Sequence, residues 1–395
     1  MIKINKLLLF VILSSISFNL SSQSIKEVSL ANNKFALDLY NKISKNNKTE
    51  NLLFSPFSIY QAMSVVYSGS RNNTKKQMQD LFYFSNDKQY LNITSINKYL
   101  KNNTDSIDLN IINSIWIQED YKIRSEYINI INNNYKIPIN KINFKNKSSR
   151  EKAVKEINNW VANNTEKQIL QLIKPSDLSK YTRLLLVNAM SFYGEWLNGF
   201  DKDKTTKQIF KSNKNEYNID FMNKEGGFLY YSDSIISSIK IPYKGNKQSV
   251  IVLLPKNNVS ISEIENNINI EYLNKITYNM HKTQVLLSLP KFTVEYSLNL
   301  KQTFQEMGMI DAFSKVADFS IITEKNNLKI DKIIHKSKIE ISEKGTMAAA
   351  ATSVSMIQKT AFIPSLEFNA NHPFIYFIQD NDTEMILFIG KFQNP

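Results

Sequence analysis

The sequence predicts an α+β fold, and three observations carry that prediction. Amphipathic helical segments crowd residues 25–140, apolar strand runs dominate from Leu184 onward, and the two are interleaved without regular strand–helix–strand alternation. Short turns between the strands point to mixed or antiparallel sheets. At 395 residues the chain is long enough for a large core, and length by itself predicts two or three domains.

The elements follow in order. Lys3 and Lys6 precede the apolar run Leu7 to Phe18, and serines follow, which reads as a secretory signal peptide over residues 1–22. The run is too short for a membrane span. Phe35, Leu37, Leu39 and Tyr40 mark one amphipathic helix, and Ser58 to Tyr67 marks another, entered by Ser55 as N-cap and Pro56 in the first turn. Ser149 to Ile173 reads as a further helical stretch with Ile157, Trp160, Val161 and Ile169 on its buried face. "RLLLVNAMSFYG" is an apolar run broken by Asn188, the pattern of a strand covered on both faces. Two strands flank the turn Lys244-Gly245-Asn246, "QVLLSLPKFTVEY" adds more strand, and "NLKQTFQEMGM" is a helix closed near Gly308. The tail is a hairpin of two apolar strands turning at Asp380 to Thr383.

Composition narrows the function. There is no cysteine, so neither a disulfide framework nor a thiolate metal site exists. The net charge of +13 suits anionic partners, sulfated polysaccharides included, with Lys98, Lys101, Lys152 and Lys155 as surface candidates. No basic block interleaved with aromatics occurs, which argues against nucleic acid. The sequons at Asn47, Asn72, Asn92, Asn102, Asn146, Asn163, Asn258 and Asn381 suit a secreted glycoprotein. Histidine occurs three times, at 281, 335 and 372, never in a metal-ligating spacing, and no hydrolase, nucleotide-binding or metalloprotease motif is present. Read from pattern alone, His335 is a structural histidine on a strand.

Seven dispersed strings carry a family pattern: Asn51 to Thr74, Leu184 to Phe200, Leu289 to Phe313, Ala317 to Ile322, Ile333 to Thr346, Phe368 to Ile378 and Ile386 to Pro395. In order and spacing they resemble the serpins, serine protease inhibitors, from about residue 25 to the end. The resemblance implies one domain over 23–395, the serpin fold with about three β-sheets and eight or nine helices, a monomer, and no enzymatic activity of its own. It also implies that Ser55, Ser58, Asn188 and His335 form a polar cluster beneath the large sheet, and that Trp196 is the aromatic at the top of that sheet. One departure is Asn72, which stands where the family usually has glycine in a turn; asparagine tolerates positive φ nearly as well.

By the same resemblance Glu343 to Leu366 is a reactive-centre loop, the bait for a serine protease, and Lys359, its only basic residue beyond Lys344, fits a secreted trypsin-like enzyme with an acidic specificity pocket. The protease would be held as an acyl-enzyme while the cut loop enters the large sheet as a strand. The hinge Glu343, Lys344, Gly345, Thr346, Met347, Ala348, Ala349, Ala350, Ala351 and Thr352 suits this physically. The alternate residues Thr346, Ala348, Ala350 and Thr352 face inward and are small, no charge occurs from Thr346 to Gln358, and no proline occurs before Pro364. The alanines are weak strand formers, so the intact hinge is expected to stay out of the sheet. Family spacing puts the cut between Lys359 and Thr360, with Met356 or Phe362 as a second site for a chymotrypsin-like enzyme. From Gly345 to Lys359 the extended arm spans on the order of 46 Å. The rival reading is a non-inhibitory relative that carries a ligand, stores protein or assists folding. Such relatives tend to place charge, bulk or proline in the hinge, and Thr346 to Thr352 has none.

Overall fold

The structure, a computed structural model, describes residues 6–85, 89–103, 107–325, 327–346 and 365–395, the side chains of 6–24 and of Tyr90 excepted. The side chains of the expected signal peptide, and the expected loop from Met347 through the Lys359–Thr360 bond, lie outside the described residues.

Along the chain, α1 (Lys6–Asn46) precedes β1 (Leu52–Phe54), α2 (Pro56–Tyr67), α3 (Asn72–Phe82) and α4 (Gln89–Asn102). Then come β2 (Ile107–Gln118), α5 (Ser125–Ile130), β3 (Ile139–Ile142), α6 (Lys147–Asn164) and β4 (Leu184–Glu195). The second half holds β5 (Thr206–Lys211), β6 (Glu216–Ser232), β7 (Ile236–Pro242), β8 (Gln248–Pro255), α7 (Ile261–Asn267), α8 (Ile270–Tyr278) and β9 (His281–Pro290). It closes with β10 (Phe292–Asn299), α9 (Leu300–Glu306), β11 (Lys332–Ser342), β12 (Gly345–Thr346), β13 (Leu366–Asn369), β14 (Phe374–Asp380) and β15 (Ile386–Phe392). Nine α-helices among the described residues agree with the expected number.

The strands form a six-stranded sheet in the order β10-β11-β12-β4-β2-β3 and a nine-stranded one in the order β1-β15-β14-β8-β7-β6-β9-β13, with β5 on β6. The expected third sheet is the β5-β6-β9-β13 part of the latter. It stays bonded to the rest because β6 is one continuous strand, whose Leu229 to Ser232 also pair with β7.

Strand β4 is covered on both faces, as its composition requires. Leu184, Leu186, Met190 and Phe192 join the main core with α1 and α2, while Leu185, Val187 and Ala189 pack in a second cluster with Ile157 and Val161 of α6. The helical stretch expected over 149–173 ends sooner, at Asn164. Glu166 and Lys167 take positive φ (48° and 63°), so the chain turns out of the helix there, and Asn158 caps the exit by accepting from the amides of Leu172 and Ile173. Asn72, in the glycine position, does adopt φ 49°, and its amide bonds Asp318. A buried ion pair ties first to last elements: the Lys391 ammonium of β15 lies 3.0 Å from Glu265 of α7, which also accepts from Tyr40 of α1 at 3.1 Å.

The four lysines proposed for a polysaccharide do not make one patch. Lys98 and Lys101 ride on α4, whose apolar side faces the main core, while Lys152 and Lys155 ride on α6 across the sheet from it. Asn92 is a second correction: it is buried, and its amide nitrogen bonds Ser85 and Gln89, so it offers no attachment point in the folded chain. Asn72, Asn102, Asn146, Asn163 and Asn258 are exposed, and Asn47 and Asn381 are half-buried with their amide nitrogens bonded to Tyr296 and Asn246.

Candidate functional site

The six-stranded sheet is forked. Strands β11 and β4 pair directly and in parallel over seven positions, Lys332 to Lys338 against Leu185 to Ser191. Beyond them the strands part, and β12 stands between: Thr346 opposes Ile341 and Gly194, Gly345 opposes Ser342 and Glu195, all antiparallel. The hinge expected to remain outside has therefore placed Gly345 and Thr346 within the sheet. The reason is local. Glu343-Lys344 forms a tight turn that folds the chain back along β11, and an unpaired β4 edge is there to bond with.

Gly345 is required at this position. A Cβ there would sit 2.0 Å from the Gly194 carbonyl oxygen and 2.7 Å from the Glu195 Cα. The Thr346 side chain points inward and is fully buried, its hydroxyl 2.6 Å from the Tyr243 phenol. Tyr243 lies flat on the Trp196 indole (centroids 4.7 Å apart, 9° between planes), and the indole N–H donates to the Ser342 carbonyl at 2.9 Å. Trp196 thus closes the open end of the fork.

Glu343 anchors the turn. It is buried, accepts from the Lys291 ammonium and the Thr205 hydroxyl at 3.0 Å each, and its carbonyl accepts from the Phe200 amide at 2.7 Å. Burial pushes its carboxyl up, but its own amide, Lys291 and Thr205 outweigh that and hold it below the ordinary carboxylate value.

Lower down the same sheet, the structure brings Ser55, Ser58, Asn188 and His335 together. His335 and Asn188 are partners across the β11–β4 seam, and Asn113 of β2 is the partner of Asn188 on its other side. The Ser55 amide donates to His335 Nε2 at 3.0 Å, the Ser337 hydroxyl lies 2.8 Å from the same nitrogen, and His335 Nδ1 bonds the Asn188 side-chain oxygen. Nε2 therefore accepts and Nδ1 carries the proton. The Asn188 amide bonds the Ser58 carbonyl at 3.0 Å and also Ser58 Oγ and Asn113, while Ser55 caps α2 by accepting from the Ser58 amide. Every member is buried, and burial pushes the imidazole pKa down to about 3, so it is neutral at ordinary pH. Lone buried polar groups in an apolar sheet stand only when bonded to one another.

The cluster also holds Asn113, Gln61 and Ser337, which sequence reasoning missed. Asn113, a polar residue within "IINSIWI", and Ser337, two places after His335 on an alternating strand, carried the same signal as Asn188 and His335. Tyr243, Lys291 and Thr205 carried none, because they reach the hinge from segments just outside strands distant in sequence: after β7, between β9 and β10, and before β5.

The architecture has known counterparts. The family model for serpins (serine protease inhibitors) matches residues 30–395. An uncharacterised serpin-like protein of Methanosarcina acetivorans is 36% identical over 93% of this chain and 86% of its own. The leukocyte elastase inhibitor of Xenopus tropicalis is 33% identical, covering 94% of this chain and 100% of its own. The crystal structure of human thyroxine-binding globulin superposes with a TM-score of 0.85 at 26% identity, over 94% of this chain and 99% of that one. With the fold, the forked sheet and the match from residue 30 to the end in agreement, this chain belongs to the serpin family.

Proposed function

We propose that the protein is a secreted suicide inhibitor of a trypsin-like serine protease, a single domain over 23–395 once residues 1–22 are removed. The protease cuts Lys359–Thr360 and remains attached as an acyl-enzyme. The freed arm then continues β12 downward between β11 and β4, carrying the protease away from the loop end and distorting its active site before deacylation. In this reading His335–Asn188 is the bond that must give way as the seam opens, and Trp196 marks where opening begins.

The observation that carries the reading is β12 itself. It is antiparallel to both neighbours and aimed into the seam, and the sequence after it has neither charge nor proline through Gln358. The polar cluster spans the two strands that would separate.

Mixing the protein with trypsin and resolving the products on a denaturing gel tests it. A covalent complex of the two chains is expected, with the loop cut after Lys359. Complete cleavage with no complex would instead favour the non-inhibitory reading.

A further inference from the structure

We infer that Asn198-Gly199 is a site of spontaneous covalent modification, deamidation, and that the Lys224 ammonium promotes the reaction by stabilising the anion through which it passes. The inference stands apart from the inhibitory reading.

This is the only Asn-Gly pair in the chain. Glycine has no Cβ to bar its own amide nitrogen from the preceding side chain. Once deprotonated, the Gly199 nitrogen attacks Cγ of Asn198. A Cγ–N bond forms, the Cγ–Nδ2 bond breaks, and ammonia leaves with the proton that the glycine amide lost. Water then opens the succinimide at one carbonyl or the other, giving aspartate or isoaspartate.

The costly species is the deprotonated peptide, whose charge is shared between the Gly199 nitrogen and the Asn198 carbonyl oxygen. Lys224 of β6 donates to that oxygen at 2.6 Å, and to the Gly199 carbonyl at 3.0 Å. A cation bonded where charge develops stabilises the anion more than the neutral peptide. The ammonium is held in place over the Phe200 ring, 5.8 Å from its centroid, and Lys224 is half-buried. Burial pushes its pKa down, the mark of a cation stripped of part of its water. Asn198 and Gly199 are themselves exposed, and among the described residues the Gly199 amide donates no hydrogen bond that the reaction must break.

The pair lies in the turn that seats the hinge. On one side the Leu197 amide donates to the Pro242 carbonyl at 2.9 Å, and on the other the Phe200 amide donates to the Glu343 carbonyl at 2.7 Å. Isoaspartate routes the main chain through Cβ and Cγ, so it inserts a carbon atom between these two anchors. Phe200 is then pushed off Glu343, and the turn beneath Trp196 loosens.

Wild-type protein, Lys224→Gln and Lys224→Arg are incubated near neutral pH, with thermal scans to check that each is folded. After digestion with trypsin, mass spectrometry follows the peptide spanning 184–202, and an isoaspartyl methyltransferase counts isoaspartate. Asn188 lies in the same peptide, buried and followed by alanine, and serves as the unreactive reference. Asn198 should react faster than any other asparagine of the chain. Lys224→Gln, which keeps a donor but not the charge, should slow it about tenfold, whereas Lys224→Arg should keep most of the rate. An unchanged or raised rate in folded Lys224→Gln, or an equal loss in both variants, would overturn the role of Lys224. An Asn198 that stays intact in wild-type protein would overturn the site itself. In a background with Trp116 and Trp160 changed to phenylalanine, the isoaspartate fraction separated by ion exchange should emit further to the red. Emission identical to that of unmodified protein would overturn the loosening of the turn.

Discussion

His335 and Asn188 face each other across the parallel seam between β11 and β4, and a single side-chain hydrogen bond joins them at the point where, on the proposed mechanism, the two strands part. The imidazole also takes up the Ser55 amide, so one side chain holds two strands and the start of a helix. Replacing His335 by alanine leaves the Ser55 amide and the Asn188 oxygen unpartnered in the core. A loss of about 2–6 kcal/mol is expected, from about 1–3 kcal/mol for each of the two buried groups left unbonded, read as a lower denaturant midpoint.

The same residue sets a pH dependence. Burial lowers its pKa to about 3 in the folded chain, against 6.5 for the free side chain. Between those values the unfolded chain binds a proton that the native chain refuses, so stability falls as pH falls through that window. The contribution of this residue is complete above pH 6.5, and its slope is about 1.4 kcal/mol per pH unit. His335→Gln, which cannot titrate, should show a shallower fall between pH 6 and pH 4 in thermal scans.

On the inhibitory reading, Thr346→Arg should convert inhibitor to substrate. Thr346 is fully buried against Tyr243, so a guanidinium there must either displace β12 or be buried unpaired. On a gel with trypsin the cleaved band should grow at the expense of the complex. Lys359→Ala should remove reaction with trypsin altogether, and persistence of the complex would place the bait at another residue.

Gly345→Ala should expel β12 without adding charge, since the new methyl would overlap the Gly194 carbonyl. The indole of Trp196 would then lose its place under the turn. In a background with Trp116 and Trp160 changed to phenylalanine, the remaining emission should shift to the red. An unshifted spectrum would show that the fork keeps its strand.

Lys391→Met should be far more harmful than its surface-like chemistry suggests. It leaves the Glu265 carboxylate buried beside Tyr40 with its cation gone, at a cost of about 3–5 kcal/mol. Adding Glu265→Gln should return much of that loss, and a double-mutant cycle in denaturant measures the coupling.

Much of this was legible before any coordinate. Asn188 in an apolar run and His335 on an alternating strand are costly unless paired, and that conflict marked them. The αL position of Asn72 was implied by the resemblance, which puts glycine in that turn, and asparagine can take its place. Side-chain contacts between segments distant in sequence left no local trace, so Tyr243, Lys291 and Thr205 stayed hidden. The early end of α6 was missed because apolar residues at 169, 172 and 173 continue the buried cluster after the helix has stopped, so their spacing imitates another turn. The early seating of Gly345 and Thr346 was missed for a different reason. Strand propensity judged the hinge alone, whereas the empty edges of β11 and β4 decided the matter.

The fork also fixes where the driving force resides. Direct contact between β11 and β4 is parallel, the weaker kind of ladder, and it supplies one interface between two strands. An arm extending β12 would replace it with two antiparallel interfaces, because β12 already runs against both neighbours. The gain is made by peptide groups, which are the same whatever side chains they carry. Evolution is then free to choose the arm by exclusion: nothing large on the inner side, nothing ionised, nothing lacking an N–H. On the inhibitory reading the bait residue, which does not enter the ladder until the end, is left to vary with the protease.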